Sequence, residues 1–120
     1  MIRTTLITAL IGLSVCALAD DANTLRIMTF NIRYGTAPDG ANHWLKRREL
    51  LADTIARYRP DVLGLQECLR DQAEYLQEQL PDYAWFGLGR NRDGSSEMTA
   101  VFYRKDRFAP LMMEHFWLSD

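Results

Sequence analysis

The 120-residue chain predicts an α+β fold built on a mixed sheet with helices on one face, and three observations carry that reading. Short apolar runs alternate with two longer segments whose apolar residues recur at helical spacing. Pro60 and Pro81 each close one of those longer segments. After the second, the chain passes through successive strand-like runs, so the order is strand, helix, strand, helix and then strands.

Leu25 to Asn31 reads as a buried strand, with Leu25, Ile27, Met28 and Phe30 nearly unbroken, followed by a turn-rich stretch from Tyr34 to Gly40. From about Leu45 to Tyr58 the period changes. Trp44, Leu51, Ile55 and Tyr58 share one helical face, and Lys46, Arg47, Arg48 and Glu49 fall largely on the wet side. Val62 to Leu65 is a short apolar run, consistent with a strand covered on both faces. A second helix is expected from about Arg70 to Leu80, with Ala73, Leu76 and Leu80 inward. Strands are then expected over Tyr83 to Leu88, Met98 to Tyr103 and Phe108 to Leu118. A polar loop from Gly89 to Ser96 and the charged turn Arg104 to Arg107 separate them. The helices cover one face, and another layer is expected on the other.

The first residues stand apart from the fold. Arg3 is the only charge before Asp20, and Ala17-Leu18-Ala19 fits the small-x-small pattern of a signal-peptidase site. Residues 1–19 are therefore expected to be a cleaved signal peptide, cut between Ala19 and Asp20, with residues 20–24 a short spacer. A stable membrane span is the weaker reading, since it needs about 20 apolar residues. The expected location is secreted or periplasmic.

The mature chain would carry 13 basic and 16 acidic residues, a net charge of −3. That balance argues against indiscriminate nucleic-acid binding, which depends on a basic surface, although a local basic groove is compatible with it. Cys16 leaves with the signal, so Cys68 has no internal disulfide partner. About 100 residues form one domain, not two.

Two strand ends carry the chemistry. Met28-Thr29-Phe30-Asn31 and Asp61-Val62-Leu63-Gly64-Leu65-Gln66-Glu67 each run from an apolar stretch into a polar side chain. Taken singly, Glu67 and Asn31 each fit a solvated residue closing a strand. Together they end two strands joined by a single helix with its loops, the connection expected between neighbouring parallel strands. Ligands bind at the carboxyl ends of strands in open α/β sheets. Mg²⁺ takes oxygen ligands, keeps several waters, and is held by one or two carboxylates plus substrate phosphate. Cys68 reads as a small buried residue, because no second soft ligand lies near it in sequence.

Thr29-Phe30-Asn31-Ile32-Arg33-Tyr34-Gly35, Pro60 to Glu67, Gly89-Arg90 with Asp93-Gly94, Ala100 to Arg104 and Phe116 to Ser119 together resemble the endonuclease/exonuclease/phosphatase family. The resemblance runs from about Leu25 to Asp120, and Leu65-Gln66-Glu67 is its most specific part. It implies the N-terminal half of a four-layer α/β/β/α sandwich, residues 25–120 being a partial domain with the other half packed on the sheet. It also implies a metal-dependent phosphoric-ester hydrolase using Mg²⁺, with Mn²⁺ an alternative. The substrate would be a phosphate ester: nucleic acid, phospholipid headgroup or sugar phosphate. Glu67 matches the family's metal-binding Glu, and Asn31 the Asn at the phosphate and metal site. The family's catalytic His and further Asp and Asn residues lie in a second half, carried by Asp-x-Asn and Ser-Asp-His motifs; residues 1–120 contain no Ser-Asp-His, and their one Asp-x-Asn, Asp21-Ala22-Asn23, precedes the first strand. This stretch is thus expected to be truncated and inactive alone; the rival is a non-catalytic pseudo-enzyme or partner-binding half-domain. Glu97 fits either support of the metal site or an ordinary strand start. Arg90 and Arg92 fit either a substrate-steering loop or a solvated one. His43 and His115 do not match the catalytic His and receive no role.

Overall fold

The computed structural model describes residues 23–91 and 93–118. The expected signal segment and Arg92 lie outside the described residues. Strand β1 (Ile27–Asn31) leads through a 3-10 turn at Gly40–Asn42 into helix α1 (Trp44–Tyr58). Strand β2 (Val62–Cys68), helix α2 (Arg70–Gln79), β3 (Tyr83–Phe86) and β4 (Met98–Arg104) follow. The sheet order is β1-β2-β4-β3. β1 and β2 are parallel, joined by the α1 crossover, and β4 runs antiparallel to both β2 and β3. The mixed α+β sheet expected from the sequence is therefore present.

Local chemistry sets the helix ends. The His43 ring Nδ1 accepts from Leu45 N–H at 3.3 Å, which satisfies one of the amides a helix start leaves unpaired. α1 ends where Arg59 adopts the left-handed region (φ 45°) and donates its N–H to Ile55 O, immediately before Pro60. In α2, Gln72 sits three residues after Leu69, and its Oε1 accepts the Leu69 N–H at 3.1 Å. That is one half of a capping box; Leu69 has no side-chain acceptor to supply the other half.

Strand alternation decides the core. Leu63 and Leu65 of β2 and Ala100 and Phe102 of β4 face the helices and are wholly buried with Ile55, Ala73 and Leu76. Trp44 meets Tyr75 edge-on at 5.6 Å, and Trp85 stacks on Phe102 at 5.9 Å. Each fully buried large side chain is worth about 1.5–3 kcal/mol relative to exposure. Tyr58, expected on the inner face of α1, is exposed instead, because it lies in the last turn beyond the sheet's cover.

The opposite sheet face, where another layer is expected, is left uncovered by the described residues. Val62, Gly64 and Gln66 are partly exposed, Thr29 and Thr99 are exposed, and Ile27 is 71% exposed. Polar Thr and Gln alternate here with Ile and Val, and Gln66 Nε2 donates to Thr29 Oγ1 at 3.0 Å.

At the end of β2 away from Glu67, Asp61 is buried to 1% exposure. Its carboxylate accepts from Arg26 N–H (2.8 Å) and pairs with Arg107 (2.7 Å) and Arg104 (3.3 Å). Arg104 in turn grips Asp106 through Nε (3.0 Å) and Nη2 (2.6 Å). Burial pushes the Asp61 carboxyl up, but the Arg26 and Arg107 hydrogen bonds with the nearby Arg charges outweigh it and hold it below the ordinary carboxylate value.

The expected fifth strand is absent: residues 108–118 form no ladder among the described residues. Pro110 has no N–H to give a ladder, and Leu111, Met112 and Phe116 are exposed. The segment is fastened at two points, where Trp117 Nε1 donates to Arg90 O at 2.7 Å and His115 meets the Phe86 ring at 6.1 Å.

Candidate metal and phosphate site

Parallel pairing places Asn31 opposite Gln66, so the two strand ends lie side by side. A period of two would aim residue 67 into the core alongside Leu63 and Leu65. It does not point there. The β2–β4 register shifts between Leu65 and Cys68, and Glu67 takes φ 54°, the left-handed region that is costly for a residue with a Cβ. The bulge turns the carboxylate toward Asn31 and returns Cys68 to the buried position opposite Met98. Backbone in this region costs about 1–3 kcal/mol and collects at functional sites.

Asn31 Nδ2 donates to Glu67 Oε1 at 2.9 Å. Asn31 Oδ1 accepts from Arg33 N–H at 2.9 Å, an Asx turn that fixes which way the amide faces. Tyr34 N–H approaches Glu67 Oε2 at 3.4 Å. Each carboxylate oxygen therefore keeps a lone-pair direction for a further partner.

Arg33, also left-handed at φ 58°, was not singled out by its sequence context. Its guanidinium forks onto Asp39 at 3.1 and 3.2 Å, while Glu67 Oε2 lies 3.9 Å from Nη1. The Asp39 hydrogen bond raises Arg33 above its ordinary value, and the same bond holds the Asp39 carboxyl below its own. The contact with Glu67 is long and screened by solvent, so it does not lock that carboxylate away from a cation. The signal available in the sequence was the turn stretch itself, where Gly35, Pro38 and Gly40 bring Asp39 back over Arg33.

Glu67 also lines a cleft of about 340 Å³ together with Arg90, Glu97, Thr99, His115 and Trp117. Arg90 Nη1 pairs with Glu97 Oε1 at 2.6 Å, with Arg90 exposed and Glu97 largely covered. Gly89 sets up this pair. It bridges to Met98, and any Cβ at residue 89 would overlap the carbonyl oxygens of Gly94 and Ser95. Arg92, the other loop cation, lies outside the described residues.

The donor set suits a hard ion. Glu67 and Glu97 offer carboxylate oxygens and Asn31 an amide, all of them partly or fully exposed. Burial, with Asp71 nearby, pushes the Cys68 thiol up to about 12, so it offers no thiolate beside Glu67. Among the described residues no group of three His, Cys, Asp or Glu side chains is arranged to hold a metal. Mg²⁺ does not require one, since one or two carboxylates with water and phosphate suffice.

Residues 28–113 match the Endonuclease/Exonuclease/phosphatase family. The chain belongs to that family. Among solved structures, a mannosyl-6-phosphatase from Bacteroides thetaiotaomicron is 32% identical, with TM-score 0.75, covering 81% of this chain and 38% of that one. An endonuclease/exonuclease/phosphatase from Bacteroides vulgatus is 37% identical, with TM-score 0.65, over 68% of this chain and 32% of that one. A probable RNA exonuclease of Saccharomyces cerevisiae is 26% identical over 108 residues, 83% of this chain and 21% of its own length. The chain thus spans about a third of those structures' length and a fifth of that relative's. Among the described residues no helix is long and apolar enough to cross a membrane.

Proposed function

We propose that this chain forms the metal- and phosphate-binding side of an exported, Mg²⁺-dependent phosphoesterase. The observation that carries the reading is the 2.9 Å bond between Asn31 and Glu67, made at the ends of adjacent parallel strands by a carboxylate in strained backbone. An RNA exonuclease and a sugar phosphatase both cleave phosphate esters, so ester hydrolysis is the reaction class that the similar proteins share.

In this reading Glu67 is the carboxylate ligand. Asn31 uses one N–H of Nδ2 on Glu67 and turns the other toward a phosphate oxygen or a water. A bound divalent cation supplies Lewis-acid polarisation of the phosphoryl group and neutralises charge on its oxygens. Glu97 supports the site from the same cleft, and Arg90, together with Arg92 two residues on in sequence, draws in the anionic ester. Water activation is assigned to the domain's other half, so residues 20–120 alone are expected to be inactive. The leader pattern in residues 1–19 supports export, and N-terminal sequencing of secreted or periplasmic protein should begin at Asp20.

The test uses a protein carrying the complete domain, with p-nitrophenyl phosphate and bis(p-nitrophenyl) phosphate as mono- and diester probes. Glu67→Gln should lower Mg²⁺-dependent turnover on the order of 100-fold or more, the loss expected when about 3 kcal/mol of transition-state stabilisation is removed. Full turnover in excess chelator, or a fully active Glu67→Gln protein, overturns the proposal.

A further inference from the structure

Gln72 is wholly buried in the first turn of α2, and both ends of its amide are occupied. Oε1 accepts from Gly35 N–H at 2.9 Å and from Leu69 N–H at 3.1 Å. Nε2 donates to Arg33 O at 3.1 Å. One side chain therefore holds two pieces of backbone that lie far apart in sequence. Residues 33–35 follow Asn31, and Leu69 follows Glu67 and Cys68. Arg33 O also receives Arg47 Nη2 at 3.0 Å, which ties the same loop to α1.

We propose that Gln72 is a positioning residue whose buried amide clamps the loop after β1 to the start of α2, and thereby sets the Asn31–Glu67 geometry used to hold a divalent cation. The inference rests on the phosphoesterase reading. Its logic is short. Asn31 Oδ1 is oriented by Arg33 N–H, and Tyr34 N–H faces Glu67 Oε2. Gln72 grips the carbonyl of Arg33 and the amide of Gly35, on either side of Tyr34. Releasing that loop frees both donors at once. The fit is close: a Cβ built on Gly35 would lie 3.1 Å from Gln72 Cδ. Leucine or methionine at residue 72 would fill the space but leave the Gly35 and Leu69 N–H groups without this acceptor and Arg33 O held by Arg47 alone, and buried polar groups are rarely left unpaired. Groups that orient metal ligands typically govern 10–100-fold in metal affinity when removed.

The experiment measures Mn²⁺ binding by calorimetry in the full-length protein, without substrate, beside the thermal midpoint of each variant. Gln72→Met should weaken Mn²⁺ binding about 10–100-fold and accelerate hydrogen exchange at Gly35 and Leu69. Gly35→Ala, which crowds the Gln72 amide while keeping it, should weaken binding in the same direction and covers the case in which Gln72→Met fails to fold. Asp61→Asn serves as the stability control: at the other end of β2, it should lower the midpoint and leave Mn²⁺ affinity within about twofold, since distant sites act independently. A general structural role would make affinity follow the midpoint in all three. Glu67-dependent Mn²⁺ binding that survives Gln72→Met and Gly35→Ala unchanged overturns the role of Gln72 alone. Wild-type binding that is absent, or insensitive to Glu67→Gln, overturns the phosphoesterase reading, and this inference with it.

Discussion

Glu67 and Cys68 are consecutive residues with opposite surroundings: the carboxylate lines a solvent-facing cleft, and the thiol is wholly buried against the helices. A single bulge produces both placements, and the backbone at Glu67 bears its cost. Four measurable consequences follow from this and related contacts.

Glu67→Gly should uncouple stability from function. Glycine removes the left-handed penalty of about 1–2 kcal/mol, offset by the unfolded-state entropy of glycine, about 0.5–1 kcal/mol, and by the lost Asn31 bond. These terms nearly cancel, so the expected thermal midpoint stays close to wild type, while divalent-metal binding disappears. A midpoint well below wild type would show that Glu67 is not strained where it sits.

Cys68 should resist alkylation. Its thiol is buried and pushed up to about 12, so almost no thiolate exists at pH 8. Iodoacetamide labelling followed by mass spectrometry should find it unmodified in native protein and fully modified in denaturant. Rapid native labelling would mean that the end of β2 opens.

Asp61 should govern acid stability. Its carboxyl is held below the ordinary value of 3.8 in the folded state, so its contribution is present in full above that value. The contribution is lost as pH falls below 3.8 through the depressed folded value, because the unfolded chain takes up the proton first. Asp61→Asn should cost about 3–5 kcal/mol at pH 7 by removing the buried anion that Arg104 and Arg107 share, although Arg104 keeps Asp106 and Arg107 keeps Thr24 O. It should also flatten the fall of the urea midpoint as pH drops below 3.8. An unchanged acid limb would remove Asp61 as its cause.

Gly89→Ala should destabilise by roughly 1–3 kcal/mol through overpacking against the Gly94 and Ser95 carbonyls. It should also displace Arg90 from Glu97, read as a shift of the Glu97 side-chain carboxyl resonance. A variant as stable as wild type would show that the loop can yield.

Much of this architecture was legible in the residues. Leu63 and Leu65 marked β2, Pro60 and Pro81 closed the two helices, and the pairing of Asn31 with Glu67 followed from parallel strands joined by one crossover. What escaped detection depended on geometry with no periodic signature. The bulge at Glu67 is one added residue in a ladder, visible in sequence only as Gln66 and Glu67 between Leu65 and Cys68. Arg33 falls between the strand ending at Asn31 and the turn stretch from Tyr34 to Gly40, and its pairing with Asp39 depends on how that turn closes. Gln72 resembled any polar residue on a helix, yet it lies in the core because the loop after β1 brings unpaired backbone to it. The run from Phe108 to Leu118 has a strand's composition but no strand's partner among the described residues, and Pro110 works against one.

The buried carboxylate of Asp61 and the exposed one of Glu67 are six positions apart on one rod of chain. One gathers Arg26, Arg104 and Arg107, segments from both extremities of the described unit; the other meets the end of β1, the loop after it and the cleft. Inheritance can therefore act on the two poles separately. Residues around Glu67 can be exchanged without unfastening the ends of the chain. A substitution near Asp61 acts first on the stability of the fold.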